Sequence, residues 1–174
     1  MGTFSQSWLP LAGDQAVVRS LREHDLSALY ELEADPWVKR YIVGKPFSKP
    51  REDWLRDAQA LCSSNNTFCI ARSKSDTFLG RASVGHYIRD GRHTDRELQV
   101  LLRRSAVGSG VGREVCTLLM KAAKEYLGAT RLFAEVHPDH PHSPALVHSL
   151  GFKEEEPRIA SDGQVVARIF VFNV

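Results

Sequence analysis

The sequence has few of the features that mark several large classes of protein. Its three cysteines, Cys62, Cys69 and Cys116, are odd in number and far apart, so they do not form the pattern of a disulfide framework. The formal net charge is only +2 and no block of five like charges occurs, which argues against a dedicated nucleic-acid-binding protein. No apolar run approaches the roughly 18 residues of a membrane span. We therefore expect a protein of the reducing cytoplasm without a nucleic-acid or membrane partner.

The chain length favours one domain. A sequence of 174 residues is long enough for a proper hydrophobic core, and no internal repeat, low-complexity tract or linker divides it. The first 14 residues lack the basic segment and apolar core of a secretory signal peptide. We expect residues 1–14 to form a short disordered leader and residues 15–174 to form the domain.

Strands recur along the whole domain. Short apolar, β-branched segments predict strands over residues 16–21, 67–72, 78–88, 97–102, 131–136 and 164–172. The Asp90-Gly91 dipeptide is a hairpin signal, and it predicts that strands 78–88 and 97–102 are antiparallel neighbours.

Helices alternate with these strands. Asp25, Ser48 and Ser143 each stand before an apolar helical periodicity and are predicted to open helices. The strongest helical periodicity follows residue 110 and stops at Gly128. The sum predicts an α/β (α+β) domain in which helices pack on a single mixed sheet.

The stretch RRSAVGSGVGRE, residues 103–114, joins a predicted strand to a predicted helix. A glycine-rich turn there exposes the N–H groups of the first helical turn at the positive end of the helix dipole, which favours phosphate binding. No Lys-Ser/Thr pair follows the last glycine, and the spacing of Gly108, Gly110 and Gly112 does not match GxGxxG. The pattern indicates a phosphate cradle without identifying the phosphate, and a flexible turn is the alternative.

Three motifs in order resemble the GNAT superfamily of acyl-CoA-dependent N-acetyltransferases, in its ribosomal-protein (RimJ/RimL-like) branch. The opening VVRSLREHDLSALYELEADPWVKRYI resembles that branch's first strand and helix. The family's pyrophosphate loop, R/Q-x-x-G-x-G/A, falls on residues 107–112, where Gly110 and Gly112 match and Val107 departs. The closing VHPDHPHSPALVHSLGF resembles V-x-P-x-N-x-x-S followed by Leu-Gly-Phe, with His140 where asparagine is usual. The resemblance runs from about Val17 to the C-terminus.

This resemblance implies a fold and a co-substrate. The fold would be a central, mostly antiparallel sheet with a parallel splayed strand pair that binds CoA and with helices on both faces. Acetyl-CoA would be the co-substrate, and an amine would attack its thioester directly in a ternary complex. The backbone of Val100 and Leu102 would pair with the pantetheine arm like an added strand. The implied loop contacts are Val107, Gly108, Ser109, Gly110, Val111, Gly112 and Arg113.

Arginines beside the loop add candidates for phosphate binding. Arg103, Arg104 and Arg113 could each reach the nucleotide phosphates of the co-substrate. Arginines on a solvated surface are the alternative for each of them.

The resemblance also implies catalytic residues. Glu97 lies where many family members keep a glutamate that takes a proton from the amine, and an ordinary hydrogen-bonding glutamate is the alternative. Asp95 and Glu135 are weaker candidates. The tyrosine that many members use toward the leaving thiolate is replaced here by Val147. The branch can use Ser143 instead, but a serine before a proline is also an ideal helix N-cap, so both roles stay open.

Three histidines, His137, His140 and His142, cluster in the closing motif. Zinc accepts imidazoles, but Asp139 is the one partner with typical ligand spacing, so no metal is expected. We expect His140 to take the place of the usual asparagine and to bond the backbone or the pantetheine arm.

The acceptor groove of the family lies between the early helices and the last hairpin. By that analogy the acceptor-binding residues are Asp35, as an amine-attracting charge, and the aromatic residues Trp37 and Tyr87; core packing is the alternative for the aromatics. The acceptor stays open among a protein N-terminus, an aminoglycoside, a polyamine and another small amine. The oligomeric state also stays open, a homodimer included. A catalytically silent acyl-CoA-binding sensor or interaction domain is the alternative to an enzyme.

Overall fold

The computed structural model describes residues 8–44, 48–87 and 92–174. Within these residues the strands are β1 Leu11–Ala12, β2 Ala16–Ser20, β3 Thr67–Arg72, β4 Phe78–His86, β5 Asp95–Leu102, β6 Arg131–Val136, β7 Lys153–Ile159 and β8 Val165–Asn173. The helices are α1 Leu26–Ala34, α2 Pro36–Tyr41, α3 Arg51–Ala58, α4 Val111–Leu127 and α5 Ser143–Ser149. Short 3₁₀ turns cover Glu23–Asp25, Gln59–Ser63 and Arg104–Ala106.

The described strands form one eight-stranded sheet in the order β1-β2-β3-β4-β5-β6-β8-β7. Every neighbouring pair among them is antiparallel except β5 and β6, which are parallel. The antiparallel pairing of β4 with β5 is confirmed, whereas the Asp90-Gly91 signal that predicted it lies outside the described residues. The sheet is therefore mixed, as expected.

Helices cover both faces of the sheet. Neighbouring strand residues point to opposite faces, so Phe68 and Cys69 of β3 mark the two sides. Phe68 belongs to a core that includes Val115 and Leu119 of α4, while Cys69 belongs to a second core that includes Leu29 of α1. The long helix α4 is thus fixed on one face by a continuous apolar stripe.

Residues 8–14, which the sequence assigned to a disordered leader, make defined contacts with the domain. Trp8 is buried and packs edge-on against Phe68 at a ring-centroid distance of 5.2 Å. Leu11 and Ala12 pair with β2. The Glu114 carboxylate at the start of α4 accepts the backbone N–H groups of residues 14–16 at 2.7 to 3.2 Å. Trp8 is therefore part of the core, and Leu11 and Ala12 are part of the sheet; residues 1–7 lie outside the described residues.

Two helix starts also differ from the sequence prediction. The Asp25 carboxylate does not cap α1; it accepts Arg19 Nη1 at 2.7 Å and the Arg22 amide at 2.8 Å. Burial raises the pKa of Asp25, but the bonds from Arg19 and the Arg22 amide outweigh it and lower the pKa overall. Helix α3 begins at Arg51, three residues after Ser48. For Asp25, the local capping preference yields to the bonds with Arg19 and Arg22.

Candidate active site

The parallel strands β5 and β6 separate after a short paired stretch. Their register covers Asp95 with Arg131, Arg96 with Leu132 and Glu97 with Phe133, and then ends. Beyond Glu97, β5 continues to Leu102 and β6 to Val136 without pairing to one another. Two neighbouring strands that stop pairing leave backbone groups available along the opened edges. The fold thus contains a wedge whose closed end lies at Glu97.

A cavity of about 540 Å³ fills this wedge, and we call it the wedge cavity. Residues 98–102 of β5 and 134–136 of β6 line its two sides. Leu146 and Ala145 of α5 and Cys116 of α4 complete its wall. Val100 and Leu102, the residues expected to pair with a pantetheine arm, are therefore both on the cavity.

The closed end of the wedge is held by buried charges. Asp95 is fully buried and accepts both Nε and Nη2 of Arg131, at 3.2 and 2.5 Å. Arg96 is also buried, and its guanidinium donates to the carbonyl oxygen of Leu127 at the end of α4. Asp95 does not line the wedge cavity, so its carboxylate stabilises the pairing of β5 with β6 and does not face a bound ligand.

The glycine loop reaches the open end of the wedge. Gly108 and Gly110 have φ values of +77° and +91°, in the left-handed region that favours glycine. Gly110 takes the N-cap position of α4, so the helix begins at Val111 as its periodicity predicts. A Cβ at Gly112 would lie 3.5 Å from side-chain atoms of Leu102 and Leu146, which is ordinary contact. Positive φ thus requires glycine at the first two positions but not at the third.

The backbone amides of residues 108–113 donate to no protein acceptor within the described chain. The first helical hydrogen bond of α4 is made by the Glu114 amide, which donates to the Gly110 carbonyl oxygen at 3.1 Å. These amides stand at the N-terminal end of a 17-residue helix, where the dipole adds positive potential. Such a row of amides favours an anion.

The side chains of the loop have different roles. Val107, Gly108, Gly110, Gly112 and Arg113 line the wedge cavity. The Ser109 hydroxyl donates to the Ala106 carbonyl oxygen at 2.6 Å, and the Val111 side chain is fully buried in the core. Ser109 and Val111 can therefore contribute to a ligand through their backbone alone.

The three candidate arginines are not equivalent. Arg103 Nη2 donates to Glu31 Oε2 at 3.1 Å, and Arg104 lies over the Trp37 ring at 5.9 Å from its centroid. Neither lines the wedge cavity, whereas Arg113 does. Arg113 is thus the one of the three whose position suits a phosphate bound at the loop.

Glu97 occupies the apex of the wedge. It is the last residue of β5 that pairs with β6, it lines the cavity, and its side chain is half-buried. Gln99 Nε2 donates to Glu97 Oε1 at 3.0 Å, so the amide orients the carboxylate. Sequence reasoning did not include Gln99; the signal that could have found it is the two-residue period of a strand, which puts both side chains on one face.

Two further charged residues, Glu135 and Arg81, line the cavity. Glu135 Oε2 accepts Nη2 of Arg158 at 2.7 Å. Arg81, which sequence reasoning did not include, forms an ion pair with Glu33 at 3.0 Å. Glu135 and Glu33 thus each form an ion pair with an arginine.

Ser143 lies on the wedge cavity at the start of α5. The N-cap position of this helix belongs to His142, whose side chain makes no capping bond. The Ser143 amide donates instead to His140 Nδ1 at 3.1 Å, and the His142 amide donates to the same atom at 3.2 Å. The expectation that His140 bonds the backbone is met, and the hydroxyl of Ser143 is not in the N-cap position.

Of the three expected acceptor-binding residues, one lines the wedge cavity and two do not. Trp37 lines the wedge cavity together with Tyr41, at a ring-centroid distance of 5.6 Å. Asp35 caps α2 by accepting the Trp37 and Val38 amides at 2.7 and 3.3 Å, and it does not line the cavity. Tyr87 is buried and stacks on Phe133 at 3.9 Å, also away from the cavity. Trp37 is therefore the one of the three that a ligand in the cavity could contact.

Comparison with known proteins decides the family. A family model described as an acetyltransferase (GNAT) domain matches residues 16–153, most of the chain. The chain belongs to the GNAT acetyltransferase family. This membership makes it an N-acetyltransferase, of a family that uses acetyl-CoA. No curated protein matches the sequence significantly.

Solved structures of GNAT proteins share the fold. An acetyltransferase from Bacillus anthracis superimposes with a TM-score of 0.80 at 14% identity, over 95% of this chain and 98% of that one. A ribosomal-protein-serine acetyltransferase from Vibrio cholerae gives 0.73 at 15% identity, over 95% and 98%. RimJ of Mycobacterium smegmatis, in complex with CoA-disulfide, gives 0.71 at 15% identity, over 91% and 81%. The expected GNAT fold is confirmed.

Neither a membrane-spanning helix nor a metal-binding cluster occurs in the part of the chain that the structure describes. In residues 8–44, 48–87 and 92–174, no helix has the length and apolarity to cross a bilayer. Across the same ranges, no three histidine, cysteine, aspartate or glutamate side chains are arranged to hold a metal ion.

Proposed function

We propose that this GNAT protein binds acetyl-CoA in the wedge cavity and transfers the acetyl group to a primary amine by direct attack in a ternary complex. The observation that carries the proposal is the wedge itself. An opened strand edge and a row of amides without protein acceptors meet on one cavity, with a carboxylate at its apex. This combination suits a long ligand with amides along its arm and phosphates at its end.

The residues present fit acetyl-CoA. The amides of residues 108–113 and the side chain of Arg113 would hold the pyrophosphate, without the Arg or Gln that Val107 replaces. The free edge of β5 at Val100 and Leu102 would accept and donate backbone hydrogen bonds to the pantetheine amides. Acetyl-CoA supplies an activated thioester, so the protein's work is to bind, orient and manage protons.

We assign the two proton tasks of the reaction to Glu97 and Ser143, which both line the wedge cavity. An acceptor amine arrives as an ammonium ion and must lose a proton before it can attack. We assign that proton to the Glu97 carboxylate, directly or through one water. As the new carbon–nitrogen bond forms and the carbon–sulfur bond breaks, the Ser143 hydroxyl donates a hydrogen bond to the departing sulfur. The nitrogen loses a second proton as it becomes an amide. The Ser143 hydroxyl passes its own proton to the sulfur and takes that second proton in return, so CoA leaves as the thiol.

A panel of amines tests the transfer. Release of CoA thiol is followed at a fixed acetyl-CoA concentration with peptides, aminoglycosides, polyamines and small aromatic amines. Peptides with N-terminal serine are included because one protein of the same fold is named a ribosomal-protein-serine acetyltransferase. We expect saturable release with at least one class above the rate without amine. Tight acetyl-CoA binding with no turnover on any amine would overturn the transfer and leave a silent acyl-CoA-binding domain.

Replacing Ser143 with alanine tests its assigned role. We expect kcat to fall by about 100-fold, the cost of removing one donor from a developing anion. The Kd for acetyl-CoA and the thermal unfolding midpoint should change little, because Ser143 is not in the N-cap position of α5. Steady-state kinetics, calorimetric titration and a melting curve measure the three quantities. A lower midpoint with unchanged kcat would instead assign the serine to helix capping.

A further inference from the structure

His140 makes an unusual pair of bonds at the start of α5. Its Nδ1 accepts the backbone N–H groups of both His142 and Ser143, at 3.2 and 3.1 Å. A ring nitrogen that accepts these bonds carries no proton, so the neutral imidazole holds its proton on Nε2. His142, in the N-cap position, makes no side-chain capping bond. The His140 ring therefore accepts two of the amides that the start of a helix leaves without an intrahelical partner.

Aromatic packing holds the His140 ring in place. The ring lies 4.9 Å from the Tyr41 ring and 6.2 Å from the Trp37 ring, both on α2. All three side chains line the wedge cavity. His140 thus joins the first turn of α5 to α2 across this wall of the cavity.

The surroundings favour the neutral form of His140. Burial, and to a smaller extent the neighbouring His142 and His137, lower the pKa of His140 to about 4. Its own loop also carries Asp139, and Arg40 and Arg104 lie over the rings of Tyr41 and Trp37 that pack against it. At neutral pH the ring therefore keeps its acceptor.

We propose that His140 is a positioning residue, whose neutral ring holds the first turn of α5, and with it Ser143, against the wedge cavity. Its effect on catalysis rests on the proposed function, whereas its effect on the turn does not. Protonation of Nδ1 would replace an acceptor by a donor and break both bonds. An asparagine, the residue usual in the resembling branch, offers an acceptor that does not titrate.

Measurements on the protein without ligand test the structural part. At pH 7, nitrogen-15 shifts of the imidazole should show the Nε2–H tautomer, and amide exchange at His142 and Ser143 should be about tenfold faster in His140→Ala. His140→Asn should keep that protection. His148→Asn, on α5 itself but off the cavity, is the matched control. An Nδ1–H tautomer, or unchanged exchange in His140→Ala, would overturn the proposal.

The melting temperature supplies a second readout with a definite sign. A histidine whose folded pKa lies near 4 contributes stability that is present above the unfolded pKa of about 6.5. That contribution is lost as the pH falls from about 6.5 to about 4. The wild-type midpoint should therefore fall more steeply over this window than that of His140→Asn. Parallel curves for the two proteins would contradict the neutral ring.

Kinetics test the catalytic consequence separately. In His140→Ala we expect kcat to fall about tenfold while the KM for acetyl-CoA changes less than twofold, and His140→Asn should restore kcat. An equal loss in both variants would show that the ring does more than accept the two amides and would overturn the positioning role. A protein without any transferase activity would defeat the proposed function, while the exchange and tautomer results would still decide the role of His140.

Discussion

Replacing Gly110 with valine is expected to raise the Kd for acetyl-CoA by at least about 100-fold, and in effect to abolish binding. Gly110 has a φ of +91° in the N-cap position of α4. A β-branched residue in that region costs about 1–3 kcal/mol, so the loop would relax to another backbone path. A Cβ there would also lie 3.0 Å from Nε2 of Gln15. Relaxation would turn the amides of residues 108–113 away from a common anion.

A matched variant separates this effect from general strain. Gly163 has a φ of +84° in the turn between β7 and β8 and does not line the wedge cavity. Gly163→Val should therefore lose comparable stability and keep its acetyl-CoA affinity. Calorimetric titration of both variants, with circular dichroism to confirm folding, makes the comparison. Retained affinity in a folded Gly110→Val would mean that the loop does not bind the co-substrate.

Replacing Glu97 with glutamine is expected to lower kcat at neutral pH by about 10²- to 10⁴-fold, the usual contribution of a general base. The change preserves shape and keeps an oxygen for the bond from Gln99 Nε2. It removes the carboxylate at the apex of the wedge, which can take the ammonium proton. At high pH the acceptor amine is already neutral, so the loss should shrink as the pH approaches the amine pKa, about 8 for a peptide N-terminus and about 10 for an alkyl amine.

The same substitution on an exposed strand provides the control. Glu155 lies on β7, is exposed and does not line the wedge cavity, so Glu155→Gln should keep wild-type kcat at every pH. Turnover of the three proteins is measured from pH 6 to about pH 10 with the best amine of the panel. If Glu97→Gln had the wild-type pH–rate profile, Glu97 would not be the base.

Local patterns predicted most of the fold. Strands β3 and β6 have the predicted limits, because their apolar residues lie between clear turn signals. Gly128 ends α4 in the left-handed conformation that its sequence position indicates. The packing of Trp8 and the bonds of the residue 14–16 amides could not be predicted in this way, because their partners, Phe68 and Glu114, lie far along the chain.

The sequence predicted the parts of the candidate site that depend on the backbone. It predicted less well the side chains whose positions depend on residues far along the chain. The positive φ of Gly108 and Gly110 follows from the glycine pattern itself. By contrast, Arg103 is held by Glu31, 72 residues away, a partner that spacing does not reveal. Tyr87 has the aromatic character of a ligand contact, but stacking on Phe133 places it in the core. Tertiary partners decide such side chains, and sequence patterns record only their types.

The central claim is that acetyl-CoA binds along the wedge between β5 and β6, with its phosphates on the glycine loop. Backbone amide chemical shifts followed during titration with acetyl-CoA test it most directly. We expect the largest shifts at residues 108–113, followed by Val100 and Leu102 on the free edge of β5, and small shifts at Gly163. Binding that shifts amides elsewhere and leaves residues 108–113 unchanged would contradict the account.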